Sequence, residues 1–112
     1  MENLKFMDMI KSASVNELNE WLKTGNVVLI DVREENEWAQ GYIEGAVLMP
    51  LATVSADKIP PVAGKKLVMQ CRSGGRSRAA CGILTKEVTD LEVYNLEGGI
   101  LAWQQSGYEV QK

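Results

Sequence analysis

Short apolar runs that alternate with helix-like segments are the feature of this sequence that most constrains its fold. Strand-like residues concentrate in 27–30, 46–49, 66–70 and 91–96. The run 27–30 has no polar residue that would mark a solvent-facing side, which is typical of a strand buried on both faces of a parallel sheet. We predict an α/β fold with a central, mostly parallel five-stranded sheet and helices on both faces.

Local signals place the helices between these strands. Ser14 and Glu17 form a capping-box pattern, and Gly25 is placed to end the helix that follows. Further predicted elements are a first strand near 9–11, a short helix over 34–40, a helical turn within 51–58, a helix over 76–88 and a last helix over 100–105.

Length and composition are those of one globular domain, which we predict over residues 1–112. The net charge of −3 predicts neither a nucleic-acid partner nor an anionic membrane partner. The first residues lack the basic and apolar regions of a signal peptide, and the two cysteines match no disulfide framework or metal site. We therefore expect a cytoplasmic protein that uses no metal and no cofactor.

The stretch 70–78 is predicted to carry the functional site. Cys71 comes directly after the predicted strand 66–70 and shortly before the predicted helix 76–88. In parallel sheets, sites form beyond the carboxyl ends of the strands. Backbone N–H groups at such a loop and helix N-terminus gather negative charge, so a thiol held there should ionise easily.

The residues that follow Cys71 supply the means of this activation. Gly74 and Gly75 allow positive φ, which turns several N–H donors toward one point, and Ser73 and Ser77 can add hydroxyl donors. The chain has no histidine, which excludes cysteine–histidine and serine–histidine catalysis within it. We therefore expect direct attack by a preformed thiolate.

Positive charge is concentrated in the same stretch. Three of the four arginines, Arg72, Arg76 and Arg78, lie within seven residues beside Cys71. A solvated basic patch is the simplest interpretation, but cations at a helix N-terminus oppose the helix dipole. Their presence predicts a compensating anion or an anionic side chain.

Two other parts of the chain bear on this site. Asp31 and Arg33 follow the neighbouring predicted strand. They either cap that strand and form a surface pair, with Arg33 and Glu37 at helical spacing, or support the cysteine loop. Cys81 lies on the helix after the loop, too far along it to pair readily with Cys71, and is interpreted as a buried core residue.

Four segments in order resemble the single-domain rhodanese family of sulfurtransferases. They match its D-V-R-x-x-x-E-aromatic segment, its G-H-I-x-G-A signature, its six-residue active-site loop and its G-G-x-x-x-W signature. In this chain they are DVREENEW at 31–38, GYIEGA at 41–46, CRSGGR at 71–76 and GGILAW at 98–103. One departure is Tyr42, where the family often has histidine.

The resemblance implies a rhodanese-like fold and a two-step sulfur transfer. Cys71 would take the outer sulfur of a small anionic donor such as thiosulfate and pass it from a persulfide to cyanide or a thiol, with a thioredoxin-like protein as a candidate acceptor. The donor would be bound by Arg72 and Arg76 together with Ser73, Gly74, Gly75 and Ser77.

Two other functions are weighed against this one. Cysteine phosphatases resemble each other in a Cys-x5-Arg loop, whereas Cys71 and Arg76 form Cys-x4-Arg and Ser77 stands where the phosphatase arginine would be. The smaller ring favours sulfur over phosphate. A non-catalytic interaction module is the other alternative, and the presence of Cys71 in a complete loop argues against it.

Overall fold

Five parallel strands form one sheet at the centre of the protein. The computed structural model describes residues 10–112. Neighbouring strands lie in the order β1-β5-β4-β2-β3, and every pairing is parallel. This confirms the predicted five-stranded sheet. The strands are β1 (Ile10–Ala13), β2 (Val27–Asp31), β3 (Val47–Leu48), β4 (Lys66–Gln70) and β5 (Val93–Leu96).

The helices follow the predicted signals closely. At the start of the first helix, the Ser14 hydroxyl accepts from the Glu17 N–H and the Glu17 carboxylate accepts from the Ser14 N–H. Gly25 ends that helix with a φ of 71°. The helices are α1 (Val15–Thr24), α2 (Glu35–Gln40), α3 (Gly75–Glu87) and α4 (Gly99–Gln105), with 3-10 turns at Leu51–Thr53 and Ala56–Lys58.

The apolar core has two parts, one on each face of the sheet. Ile30 of β2 packs with Leu84 of α3 on one face, whereas its neighbour Leu29 packs with Leu18 of α1 and Trp103 of α4 on the other. Successive side chains of a strand point to opposite faces, so a strand covered on both sides must be apolar throughout. This arrangement explains the unbroken run at 27–30 and confirms helices on both faces.

The strand boundaries differ from the predicted ones at the sheet edge. The predicted buried strand over 46–49 is wrong, because β3 contains only two residues and Val47 is 41% exposed. β3 pairs with β2 alone, so it is an edge strand. β1 extends to Ala13, and the predicted Met9 lies outside the described residues. Within 10–112 no helix is long and apolar enough to span a membrane.

The carboxyl ends of β2 and β4 bring the predicted site residues together. Asp31 and Gln70 are register partners in these adjacent strands. Cys71 therefore follows a strand end directly beside Asp31, and the N–H of Val32 donates to the Gln70 carbonyl at 2.9 Å. The two segments, forty residues apart in sequence, share one rim of the sheet.

Candidate active site

Cys71 lies at the bottom of the loop that joins β4 to α3. Its side chain is 1% exposed, and its Sγ accepts the N–H of Gly74 at 3.1 Å. The Ser77 hydroxyl lies 3.4 Å from the same sulfur. Burial alone raises the pKa of the thiol, but hydrogen bonds from the Ser77 hydroxyl and from the N–H groups of Ser77, Gly74 and Ser73 outweigh it. The pKa of the Cys71 thiol is therefore below its ordinary value, which means that the site stabilises the thiolate form.

Asn95 completes this network from the neighbouring strand β5. Its Nδ2 donates to the Gly74 carbonyl at 3.1 Å, which leaves its Oδ1 facing the Ser77 hydroxyl. The Ser77 hydroxyl also lies 3.2 Å from the Gly74 carbonyl, so its single proton can go to Cys71, to Asn95 or to Gly74, but to only one of them at a time. Our sequence analysis did not single out Asn95. The sequence did contain a signal for it, because asparagine is depleted in strands and Asn95 lies within the predicted strand 91–96.

The N-terminus of α4 holds the backbone of the loop. The Ile100 N–H donates to the Cys71 carbonyl at 3.0 Å, and the Leu101 N–H donates to the Arg72 carbonyl at 3.2 Å. The Gln70 amide adds a second donor to the Cys71 carbonyl at 2.8 Å. Because these carbonyls turn toward α4, the N–H groups that follow are left to face the sulfur.

Gly99 is required by this close approach. A Cβ at this position would lie 2.4 Å from the Arg72 carbonyl oxygen, and its φ of 58° is in the left-handed region. The second glycine of the GGILAW segment is therefore a contact surface for the cysteine loop.

Within the loop, only one of the two adjacent glycines has a positive φ. Gly74 has a φ of 116°, and it caps α3 at the point where its N–H reaches the sulfur. Gly75 is the first residue of α3 and has an ordinary negative φ. The expectation that both glycines use this freedom is thus wrong for Gly75.

Arg76 is bound to Glu37 of α2. Its Nη1 and Nη2 donate to the two carboxylate oxygens at 2.7 and 2.8 Å. These hydrogen bonds lower the pKa of Glu37 to about 2 and raise the pKa of Arg76. Glu37 is the anionic side chain that the position of Arg76 predicts. Both ends of the guanidinium are thus occupied by a side chain of the protein.

Asp31 and Arg33 form a buried pair rather than a surface pair. They are 0% and 5% exposed, and Arg33 Nη2 donates to Asp31 Oδ2 at 2.8 Å. Arg33 also donates to the carbonyls of Gly41, at 2.8 Å, and Glu37, at 3.4 Å. The surface-pair interpretation is therefore wrong. Arg33, held by Asp31, instead binds the middle and the C-terminal end of α2, the helix that presents the Glu37 carboxylate to Arg76.

Arg72 and Ser73 lie on the exposed side of the loop. Among residues 10–112, the Arg72 side chain has no carboxylate within 4 Å. It borders a cavity of about 180 Å³ between α2 and α4. Arg78, on the first turns of α3, is exposed as well.

Cys81 is a core residue, as predicted. It is fully buried on α3 in the same apolar cluster as Leu84, and burial raises the pKa of its thiol to about 12. The two cysteines therefore have opposite environments: Cys71 has donors to stabilise a thiolate, and Cys81 is kept as a neutral thiol.

Comparison with known proteins places this arrangement in a family. The sequence profile of the Rhodanese-like domain matches residues 14–106. The chain belongs to the rhodanese-like family. It is 38% identical over 89 residues to a protein named sulfurtransferase from Allochromatium vinosum, covering 78% of this chain and 80% of the relative. It is 29% identical over 100 residues to the thiosulfate sulfurtransferase GlpE of Shewanella oneidensis, covering 89% and 98%.

A solved structure supports the same assignment. The rhodanese-related protein of Thermoplasma volcanium superimposes with a TM-score of 0.77 and 31% identity, covering 90% of this chain and 97% of that one. Other relatives are longer, and this rhodanese-like chain spans 48% of one and 23% of another.

Tyr42, the departure from the family signature, packs against an aromatic neighbour. Its ring stacks on Trp38 with centroids 4.1 Å apart and an angle of 5° between the planes. Its backbone pairs with Gln111 in both directions, at 2.9 and 2.7 Å. Tyr42 thus joins the end of α2 to the C-terminal segment of the rhodanese-like domain.

Proposed function

We propose that this rhodanese-like domain moves a sulfane sulfur from thiosulfate, or from a related persulfide donor, to cyanide or a thiol. The observation that carries the proposal is the environment of Cys71. The sulfur has backbone and hydroxyl donors and a lowered pKa, and the chain contains no histidine that would act as a base. Donors that stabilise the thiolate take over part of what a general base would otherwise do.

The first half-reaction loads the enzyme. The Cys71 thiolate attacks the outer sulfur of thiosulfate, the bond between the two donor sulfurs breaks, and its electron pair leaves with sulfite. The products are a Cys71 persulfide anion and sulfite, with no net oxidation. In the second half-reaction, cyanide or a thiolate attacks the terminal sulfur and restores the Cys71 thiolate. A thioredoxin-like protein is a candidate source of that thiolate.

The loop supplies the stabilisation that both steps need. N–H groups that are fixed before the reaction stabilise charge on the sulfur without reorganising at the moment of transfer. In this proposal the donors around Ser73, Gly74, Gly75 and Ser77 solvate the persulfide in place of water. Arg72 binds the anionic end of the donor. Arg76, held by Glu37, supports the loop.

The spacing of the loop favours sulfur transfer over phosphate chemistry. Cys71 and Arg76 are separated by four residues, and the next position is Ser77, whose side chain faces inward to the sulfur. The A. vinosum and S. oneidensis relatives also carry sulfurtransferase names.

Intact-protein mass spectrometry after treatment with thiosulfate tests this function directly. We expect the mass of one added sulfur, which cyanide removes. Cys71→Ser should abolish the labelling, and Cys81→Ser should retain it. If only Cys81→Ser loses the labelling, the reactive sulfur is on Cys81 and not on Cys71. If the protein releases phosphate from aryl phosphates and takes up no sulfur, its function is that of a phosphatase.

A further inference from the structure

The Ser77 hydroxyl lies in a buried network that has more acceptors than it has protons to give. Ser77 is fully buried, so its hydroxyl cannot turn to solvent. Its oxygen is 3.4 Å from Cys71 Sγ and 3.2 Å from the Gly74 carbonyl oxygen, and Asn95 Oδ1 is nearer than either. A hydroxyl has one proton to donate. The direction of that proton therefore decides whether the sulfur receives a hydrogen bond from Ser77.

The amide of Asn95 is held with its oxygen toward Ser77. Asn95 is 7% exposed and lies on β5, where its backbone is in register with Ser12 of β1 and Met69 of β4. Its Nδ2 is 3.1 Å from the Gly74 carbonyl oxygen. A carbonyl can only accept, so the part of the amide that faces it must be the NH2 group, and Oδ1 is left for the Ser77 hydroxyl. Asn95 is therefore a fixed acceptor beside the cysteine loop.

The charge on Cys71 Sγ determines which acceptor the hydroxyl prefers. A neutral sulfur is a weak acceptor, so the Ser77 proton goes to the amide oxygen of Asn95. A thiolate is charged, and hydrogen bonds to charged groups are roughly twice as strong as neutral ones. The proton then turns to the sulfur, and Asn95 Oδ1 loses its donor from Ser77. A buried acceptor that loses its donor is unfavourable, which opposes this turn.

We propose that Asn95 is a positioning residue, which holds the Ser77 hydroxyl while Sγ of Cys71 is neutral and releases it when Sγ becomes charged. The change is a rotation about the Cβ–Oγ bond of Ser77, and no covalent bond forms or breaks. Sγ is neutral in the thiol and also in the persulfide, whose charge lies on the terminal sulfur. Asn95 thus stabilises these two states relative to the thiolate. The persulfide part of this inference rests on the proposed function, whereas the thiol part does not.

The effect of Asn95 on the pKa of Cys71 is opposite to that of the donors around the sulfur. The Ser77 hydroxyl lowers the pKa of the Cys71 thiol. Asn95 competes for the same proton, so it reduces that lowering. If the amide oxygen of Asn95 is removed, the hydroxyl is free to stabilise the thiolate, and the pKa of Cys71 falls.

The charges around Cys71 are the same in all the variants that test this inference. β5 and α4 carry no charged residue. The other thiol of the chain, Cys81, is kept neutral by burial, which raises its pKa to about 12. The charged residues near the loop are Arg72, Arg76, Arg78, Glu37, Asp31 and Arg33. A difference in the pKa of Cys71 between the variants therefore does not come from a change of charge.

A double-mutant cycle of Asn95→Leu and Ser77→Ala separates the acceptor role of Asn95 from a structural one. The pKa of Cys71 is measured in the four proteins from the pH dependence of its alkylation by iodoacetamide, with the modified residue identified by mass spectrometry. Asn95→Leu removes both the acceptor and the donor to Gly74, and only the acceptor acts through Ser77. We therefore expect Asn95→Leu to change the pKa of Cys71 in the downward direction by about 0.5–1 more when Ser77 is present than in the Ser77→Ala background.

Thr85→Val is the matched control for the loss of a buried polar group. Thr85 is buried on α3, about two helical turns beyond Ser77, and its hydroxyl donates to the Gly82 carbonyl. This variant should leave the pKa of Cys71 unchanged. The inference is overturned if Asn95→Leu has the same effect in both backgrounds, if it lowers the pKa more without Ser77 than with it, or if Thr85→Val has an equal effect.

Nuclear magnetic resonance tests the inference without changing Asn95. The carbon-13 chemical shift of its side-chain carbonyl reports the hydrogen bond that it accepts, and in the unmodified protein this shift should change with pH at the pKa of Cys71. In Ser77→Ala most of the change should be lost, because there is no hydroxyl to release. A change as large in Ser77→Ala as in the unmodified protein overturns the inference. Neither experiment needs a sulfur donor, so if Cys71 takes up no sulfur from thiosulfate, the proposed function fails while the role of Asn95 at the thiol still stands.

Discussion

Replacing Glu37 with glutamine should destabilise the domain at neutral pH and have less effect in acid. Glu37 accepts both ends of the Arg76 guanidinium, and its pKa is lowered from an ordinary 4.5 to about 2. Glutamine keeps an oxygen that can accept the Glu34 N–H at the start of α2, a hydrogen bond of 3.0 Å in the structure. The substitution therefore removes the charge and leaves the helix cap in place.

The size of the effect follows from the pKa and from the exposure of the pair. A pKa lowered from 4.5 to about 2 corresponds to at most ~3.4 kcal/mol of stabilisation, at ~1.36 kcal/mol per pH unit. The Arg76 and Glu37 side chains are 36% and 24% exposed, so solvent screens part of this interaction. We expect Glu37→Gln to lower the free energy of unfolding by ~1–2 kcal/mol at neutral pH.

The pH dependence has a definite sign. Because the folded state lowers the pKa of Glu37, the stabilisation is present above about pH 4.5 and is lost as the pH falls toward 2. Urea unfolding of the unmodified protein and of Glu37→Gln can be followed by tryptophan fluorescence from neutral pH down to ~3. The difference between their free energies of unfolding should shrink by roughly half or more over this range. Glu35→Gln, an exposed residue in the same turn of α2, is the matched control. A difference that is independent of pH, or no difference at pH 7, would refute the argument.

Two further substitutions test the loop itself. Ser77→Ala removes the hydroxyl near the Cys71 sulfur, so the pKa of that thiol should rise and its alkylation by iodoacetamide should slow near neutral pH; an unchanged pH profile would contradict the assigned contact. Gly99 has a positive φ, and Gly99→Ala places a methyl group 2.4 Å from the Arg72 carbonyl oxygen. Urea unfolding should show the free energy of unfolding lowered by ~2 kcal/mol or more. Gly82 lies in helix α3 with open space around it, so Gly82→Ala should instead raise the free energy of unfolding by ~0.5–1 kcal/mol. Equal effects at the two glycines would show that the close approach of Gly99 to Arg72 does not determine the stability.

The sheet and the position of Cys71 were predictable because both depend on local pattern. The run 27–30 is apolar on both faces, and the strand that delivers Cys71 has the predicted bounds, Lys66–Gln70. The order of the strands in the sheet was not predictable in this way, because it depends on which elements lie next to one another in the folded protein. Val47 belongs to a run as apolar as that of a central strand, yet β3 lies at the sheet edge and leaves Val47 exposed.

Contacts between distant elements were also beyond the sequence patterns. Glu37 and Arg76 are separated by 39 positions, and Ser77 and Asn95 by 18. A sequence can show that Arg76 needs an anion near the helix dipole, but the choice between a substrate and a side chain depends on where α2 lies. Arg33 shows the same limitation. Its helical spacing to Glu37 favoured a surface pair, whereas the structure buries Arg33 beside Asp31.

The positive charges around Cys71 are divided between an arginine that is paired inside the protein and one without a carboxylate partner among residues 10–112, which fits our proposal that one short loop both activates a sulfur and binds a donor. Arg76 opposes the dipole of α3, and Glu37 offsets that conflict inside the protein. The lowered pKa of Cys71 rests on hydrogen-bond donors, namely the Ser77 hydroxyl and the N–H groups beneath the sulfur, which outweigh the cost of burial. Arg72 is left at the rim beside the α2–α4 cavity. If Arg72 binds the donor, as we propose, activation and recognition depend on different atoms, and Arg72 can vary to suit a donor without disturbing the hydrogen bonds to the sulfur.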